Sequence, residues 1–365
     1  MAAWRRLRVL GRLRSPGRAP RPPPPRVGRT SAARASGPPR DAACRPEGTL
    51  DVLALAGGTL SEGKQALARA GWALPLRRLT LFALLAGPSP PGPRLGCPAG
   101  PRRLFSTQKV LVELDKSSGV AVMKMKNPPV NSLSLEFLTE FSISLEKLEN
   151  DKACRGVIIT SAVPQIFSAG LDITEMCGKN EAHYSEFWKA VQEMWITLYN
   201  SSLVTIAAVN GSSPAGGCLI ATSCDYRIMA ENPKYSIGLN ETRLGIVAPF
   251  WFKDTMINTI GHRATERSLQ LGLLYPAGEA LQVGLVDMLA PEEKIQGVAA
   301  EVMSQWLALP DHARQISKSS MRKPTVDHLL AHRDADIQNF VHFISRDSIQ
   351  KSLQAYMEML KQRRT

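Results

Sequence analysis

Several familiar signatures are missing from this chain. Its longest strongly apolar stretch, residues 79–87 (LTLFALLAG), has nine residues, whereas a membrane-spanning helix needs about 20. Stable membrane insertion is therefore not expected. The six cysteines, Cys44, Cys97, Cys154, Cys177, Cys218 and Cys224, form no CxxC pair and do not gather near the six histidines. That argues against a zinc site and a disulfide framework, leaving reduced thiols as the plain expectation. No Gly-Lys-Ser/Thr follows a glycine-rich loop, and no GxGxxG opens a helix, so neither nucleotide-phosphate fingerprint is present. No internal repeat or coiled-coil heptad is visible.

Charge is abundant but unevenly placed. The 365 residues carry a net charge of +13, which at first suggests nucleic acid or an anionic membrane. Residues 1–104 hold 19 Arg/Lys and 4 Asp/Glu, a net of +15, and 16 of the 26 prolines. The remaining 261 residues hold 26 basic and 28 acidic side chains, a net of −2. The basicity thus belongs to an arm, and the near-neutral body is a poor match for a broad phosphate-binding surface. The arm opens with MAAWRRLRVLGRLR and has no acidic residue before Asp41; Pro16 and Pro22 to Pro25 forbid a continuous helix. An Arg-rich, acid-poor N-terminus has the composition of a mitochondrial transit peptide, although a basic tail with another role would share it. Residues 102–107 (RRLFST) fit a cleavage context near 103–107, and the mitochondrial matrix is the expected location. The domain expectation is a basic, Pro-rich, largely disordered arm at 1–105 and one folded domain at 106–365. Within that domain the core covers about 108–270 and a C-terminal helical section about 271–365.

The body alternates strand and helix patterns, then turns helical. Residues 108–114 and 120–124 read as a hairpin around Ser117-Ser118-Gly119. Asn127-Pro128-Pro129-Val130-Asn131 blocks regular structure. A helix is expected from Ser132 to about Asn150, with Leu138, Phe141, Leu145 and Leu148 on one face, and another over 186–199. Apolar strands are expected at 157–160 and 203–209, and shorter ones at 226–229 and 235–237. Beyond Pro249 the pattern predicts helices at roughly 251–259, 264–271, 278–283, 292–306, 311–321 and 332–362. Together these give an α/β fold with a helical C-terminal section.

Three segments could carry chemistry. Phe167-Ser168-Ala169-Gly170-Leu171-Asp172-Ile173 follows a strand, and its small residues let backbone amides approach a ligand. The same residues also suit a simple turn. Residues 210–218 (NGSSPAGGC) end in two glycines at a helix start, where amides and the positive dipole end face outward. Close packing alone would explain them equally well. In residues 237–251 (IGLNETRLGIVAPFW), Glu241 stands ahead of an apolar run. A carboxylate beside apolar walls becomes a better base toward a carbon acid. Taken alone, a loop glutamate exposed and paired with Arg243 is the simpler alternative.

In this order the FSAGLDI, NG-x-x-x-AGGC and Glu-before-LG segments resemble the crotonase (enoyl-CoA hydratase/isomerase) superfamily over almost all of residues 108–365. NPPVNSLSLEFL (127–138) and SAGLDITEMCG (168–178) extend the similarity. The resemblance implies a crotonase-like spiral of ββα turns and C-terminal helices that complete homotrimers. It implies an acyl-CoA substrate with coenzyme A as part of that substrate, no separate cofactor, no metal and no nucleic acid. It places an oxyanion hole on the backbone amides of Leu171 and Gly216. Ala169, Gly170, Leu171, Asp172, Ile173, Gly216 and Asn240 would contact substrate, and Glu241 would be the catalytic base. Lys124, Lys126 and Lys323 are candidates for gripping the CoA phosphates.

One departure sharpens the expectation. Hydratases of the superfamily use two glutamates, and the place of the first is Leu219 here. Activating a water needs both carboxylates, whereas one base can move a proton from carbon-2 to carbon-4 of a 3-enoyl thioester. The resemblance therefore implies an isomerase of mitochondrial fatty-acid β-oxidation. A 2-enoyl-CoA hydratase and a non-catalytic RNA-binding member of the fold are the alternatives.

Overall fold

The computed structural model describes residues 108–362. The arm, its cleavage context, Cys44 and Cys97 lie outside the described residues. Val110–Asp115 (β1) and Val120–Met125 (β2) form the expected antiparallel hairpin. Ser132–Leu133 (β3) is a short strand, and Leu135–Asn150 (α1) follows, capped by Ser134, whose side chain accepts the Phe137 N–H. The helix thus begins three residues later than its sequence pattern suggests, because 132–133 pair with a strand of the site. Its buried face includes Phe137, Leu138, Phe141, Leu145 and Leu148, each worth roughly 1.5–3 kcal/mol when fully buried.

Gly156–Ser161 (β4), Gln165–Ile166 (β5), Gly170–Leu171 (β6) and Ile173–Met176 (α2) come next. Glu181–Tyr199 (α3) starts ahead of the expected 186 because Asn180 caps it, accepting the His183 N–H. Val204–Val209 (β7), Gly211–Pro214 (β8) and Gly216–Ser223 (α4) repeat the theme. Tyr226–Ala230 (β9) and Ser236–Gly238 (β10) lead to a 3₁₀ turn, Glu241–Leu244.

The remainder is mostly helical: Phe250–Ile260 (α5), His262–Leu271 (α6), the short strand Tyr275–Pro276 (β11), Ala277–Val283 (α7), the strand Met288–Ala290 (β12) and Ile295–Leu307 (α8). Asp311–Ala331 (α9), Arg333–Ile344 (α10) and Asp347–Gln362 (α11) complete the described residues. Two expectations change here. α9 runs past 321 with Pro324 inside it, because Thr325, Val326 and Leu329 of its last turns are buried and hold it in place. The single helix expected at 332–362 is two, broken after Ile344.

The main sheet has the order β1-β2-β4-β7-β9-β12, parallel beyond the first hairpin. Every residue of β4 and β7 is buried, so both faces of the sheet centre are covered; α8 packs on both strands and α4 on β7. A second sheet, β11-β10-β8-β5, collects the short strands. Three stretches of chain, opening with β4, β7 and β9, each send one longer strand to the first sheet and one short strand (β5, β8, β10) to the second before a helix, while β3 and β6 pair separately. That is the spiral of ββα turns expected from the sequence. Its consequence is that the segments after β5, β8 and β10 emerge side by side.

Candidate active site

The first segment is shaped by buried polar groups. Asn131, fully buried at φ +49°, accepts the Asn127 N–H on Oδ1 and donates Nδ2 to Ser161 Oγ and the Phe167 carbonyl. Ser168 Oγ donates to the Asn131 carbonyl at 2.7 Å and accepts the Gly170 N–H at 3.1 Å. β3 and β6 pair in parallel, and the Asp172 N–H donates to the Leu133 carbonyl. Successive strand residues face opposite sides, so the Leu171 N–H points away from β3. The Asp172 carboxylate is occupied within the segment. It caps α2 through the Thr174 N–H, and accepts the Thr174 and Ser132 hydroxyls.

The second segment brings another amide to the same place. Ala215 sits at φ +50°, ψ −122°, a conformation costly for a residue with a Cβ. It is held there by its N–H to the Gly238 carbonyl at 2.8 Å. The first intrahelical bond of α4 runs from the Leu219 N–H to the Ala215 carbonyl, so the Gly216 N–H is one of the helix's unpaired first-turn donors. The two segments touch. A Cβ on Gly216 would lie 3.2 Å from the Leu171 nitrogen, and a Cβ on Gly170 would lie 2.9 Å from the Gly216 nitrogen. Gly170 also has φ +90°, so glycine is required there twice over. Gly217 admits no side chain, since its Cβ would meet the Ser168 carbonyl oxygen at 2.5 Å.

The third segment supplies the carboxylate. β10 pairs with β8, with Gly238 opposite Pro214, and this register sets Glu241 beside the start of α4. Among the described residues Glu241 forms no ion pair, so the partnership with Arg243 does not exist; Arg243 is exposed. Glu241 Oε2 is buried without a hydrogen-bond partner, as is Asn240 Oδ1 next to it. Burial pushes the Glu241 carboxyl up to about 7, against a small opposing pull from its own backbone N–H. The Cys218 thiol is raised by burial and then by the Glu241 charge, which puts the carboxylate within electrostatic reach of the first turn of α4.

Leu171, Ile173, Ile246, Ala248, Phe250 and Ile349 are partly buried against the core, and Ile349 reaches the Glu241 turn, its Cδ1 4.0 Å from where a Cβ on Gly245 would stand. The apolar run after Glu241 is not a continuous wall, because Val247 is 70% exposed. Leu219 is fully buried, and no carboxylate stands at its position. Lys124 and Lys323 are engaged by Glu113 and Asp327.

The structure places Gly170 and Leu171 against Gly216, with Asn240 and Glu241 on the turn after β10, Ala169 and Asp172 flanking β6, and Ile173 opening α2. Sequence reasoning missed Asn131 and Ser168, which shape the first segment. A hint was available: polar residues flanking apolar strands in the NPPVN and FSAG stretches. No group of three or more His, Cys, Asp or Glu side chains is placed to hold a metal ion among the described residues. Likewise none of their helices is long and apolar enough to cross a membrane.

The Leu171 and Gly216 backbones meet at the start of α4, within electrostatic reach of the desolvated Glu241 carboxylate, on a spiral of ββα turns; backbone donors and a base of this kind suit the stabilisation of a carbonyl oxygen while a proton moves. The Enoyl-CoA hydratase/isomerase family matches residues 115–364, and the chain belongs to that family. It is 67% identical over 260 residues to human "Enoyl-CoA delta isomerase 1, mitochondrial", covering 71% of this chain and 86% of that protein. The mouse protein of the same name is 61% identical over 291 residues, 79% of this chain and 98% of its own length. A Clostridium acetobutylicum short-chain-enoyl-CoA hydratase is 30% identical over 213 residues, 58% of this chain and 81% of its own. The crystal structure of human mitochondrial delta3-delta2-enoyl-CoA isomerase superimposes with a TM-score of 0.70 at 67% identity, covering 71% of this chain and all of that one.

Proposed function

We propose that this chain is an enoyl-CoA isomerase, converting 3-cis- and 3-trans-enoyl-CoA to 2-trans-enoyl-CoA in the mitochondrial β-oxidation of unsaturated fatty acids. The observation that carries this over hydration is the single desolvated carboxylate. Glu241 Oε2 is buried without a hydrogen-bond partner, and the position where a hydratase of the family has its other glutamate is the buried Leu219. The thioester oxygen is held by the Leu171 and Gly216 amides. When Glu241 takes a proton from carbon-2, charge develops on that oxygen, where each preorganised donor contributes about 3–4 kcal/mol. Glu241, now neutral, returns the proton to carbon-4, and the double bond ends between carbons 2 and 3. A carboxyl near 7 is balanced for both transfers, since neither its charged nor its neutral form is strongly disfavoured.

Residues 169–173 and Asn240 line the substrate, and coenzyme A enters as part of it, with no separate cofactor. The working form is a homotrimer, as the resemblance to the family implies. The protein is mitochondrial, with the matrix as its compartment and the arm removed near residues 103–107. Parallel assays of isomerisation with 3-enoyl-CoA and of hydration with crotonyl-CoA test the function. Hydration that exceeds isomerisation would overturn it. Sedimentation and N-terminal sequencing of the mature protein test the assembly and the processing.

A further inference from the structure

One saturated polar side chain near the site has no part in the chemistry above. Gln350 of α11 accepts the Gly178 N–H on Oε1 at 2.9 Å, and its Nε2 donates to the carbonyls of Met176 at 2.9 Å and Ile344 at 2.8 Å. One amide thus joins the end of α10, the start of α11 and the chain leaving α2. Gly178 adopts φ +67° with open space where a Cβ would stand, so side-chain packing does not fix it. The preceding residue, Ile349, comes up against Gly245, the left-handed cap of the Glu241 turn. Two consecutive residues of α11 therefore touch both the 171–178 segment and the 241–245 turn.

We infer that Gln350 is a positioning residue for the isomerase site, clamping the far end of the 171–178 segment so that its substrate-lining part presents one geometry to acyl-CoA. This rests on the proposed role of residues 169–173 and the Leu171 amide. The near end of the segment is fixed independently, by the β3–β6 pairing and the Ser168–Gly170 bond. Leu171 keeps its direction without Gln350, and what loosens is the chain beyond it. Loss of the clamp therefore acts on substrate binding more than on the chemical step.

The test uses the full chain with Gln350→Met, which keeps the volume without the hydrogen bonds, and Gln350→Glu. Glutamate keeps an acceptor for Gly178 but has no donor for the Met176 and Ile344 carbonyls. Both variants are expected to raise KM for 3-enoyl-CoA about tenfold, the size of one lost hydrogen bond, with kcat within about threefold of the parent. Amide exchange over 172–178 is expected to quicken at least about tenfold while α4 and α10 keep their protection. Unchanged KM and unchanged exchange in Gln350→Met would overturn the clamp. So would a kcat loss accompanied by faster exchange throughout the fold. Glu241→Gln separates the two levels. If it retains turnover, the assignment of Glu241 as the base fails while the exchange data still decide the clamp. If it is inactive and the Gln350 variants behave as parent, only the clamp fails.

Discussion

Replacing Glu241 by glutamine removes the proton acceptor and keeps the side chain's shape. Loss of a general base typically costs about 10²–10⁴-fold in rate, and the cost here falls at the upper end because one group serves both transfers. The same change has a stability signature. The folded-state carboxyl lies near 7 against an ordinary value of 4.5. Folding therefore favours the protonated acid. Its full stability is present below 4.5, declines as pH rises through 7, and stays reduced above that. Holding the carboxyl near 7 rather than 4.5 corresponds to roughly 3 kcal/mol at pH 8 and above. Glutamine does not ionise, so Glu241→Gln is expected to be more stable than the parent at pH 8 by up to about 3 kcal/mol, or roughly 6–12 °C in Tm. At pH 4 the two should melt together. The parent's kcat/KM should rise with pH through an apparent pKa near 7, because the base acts as the anion. Isomerisation rates, acyl-CoA affinity by calorimetry and melting curves at both pH values check all three. Turnover within a few-fold of the parent, with binding intact, would show that the base is another group. Lost activity with no stability gain at pH 8 would show that the carboxylate is hydrated rather than desolvated.

Three further outcomes are expected. Gly216→Val should lose activity and acyl-CoA-ester binding while the fold survives, because its Cβ would stand 3.2 Å from the Leu171 nitrogen; full activity in kinetic assays would misplace the amide pair. The described cysteines are free, and burial raises the Cys218 and Cys224 thiols, the latter to about 12. Native alkylation followed by mass spectrometry should find both unmodified and unbridged, with Cys177, at 9% exposure the most accessible of the described cysteines, reacting before the other three. Asp225 is buried between Lys318 and Arg322, at 2.9 Å from each; Asp225→Ala leaves two cations without their partner and should cost about 3–5 kcal/mol in denaturant unfolding.

Local pattern determined much of this protein. The hairpin, the apolar strands and the helix faces of α1 and α3 follow from periodicities of two and 3.6, since burying one face of each element is the dominant gain. The three chemical segments were visible as well, because small residues at strand ends and a lone glutamate before an apolar run are local features. The leucine at 219 could be read as well, but its meaning came only from the resemblance to hydratases that carry a glutamate at that place. The two-residue strands β3, β5 and β6 were not legible, because so short a run has no period and exists only through its partner. Nor was the persistence of α9 through Pro324, which depends on what Val326 and Leu329 pack against.

Tertiary structure decided the rest of the site. Whether Glu241 stood in water beside Arg243 or lost its hydration could not be settled two residues away. It depends on α4 and on Ile349, elements brought near it by the spiral. The approach of the Leu171 and Gly216 amides likewise needs β5 and β10 to flank β8, so that chain separated by some 45 residues meets at a glycine contact. Gln350 carried no signal at all, because a glutamine on an amphipathic helix is ordinary until Met176 and Gly178, over 170 residues earlier, are in place beside it. Desolvation and convergence are properties of neighbours in space, and those neighbours come from pairings that no local window contains.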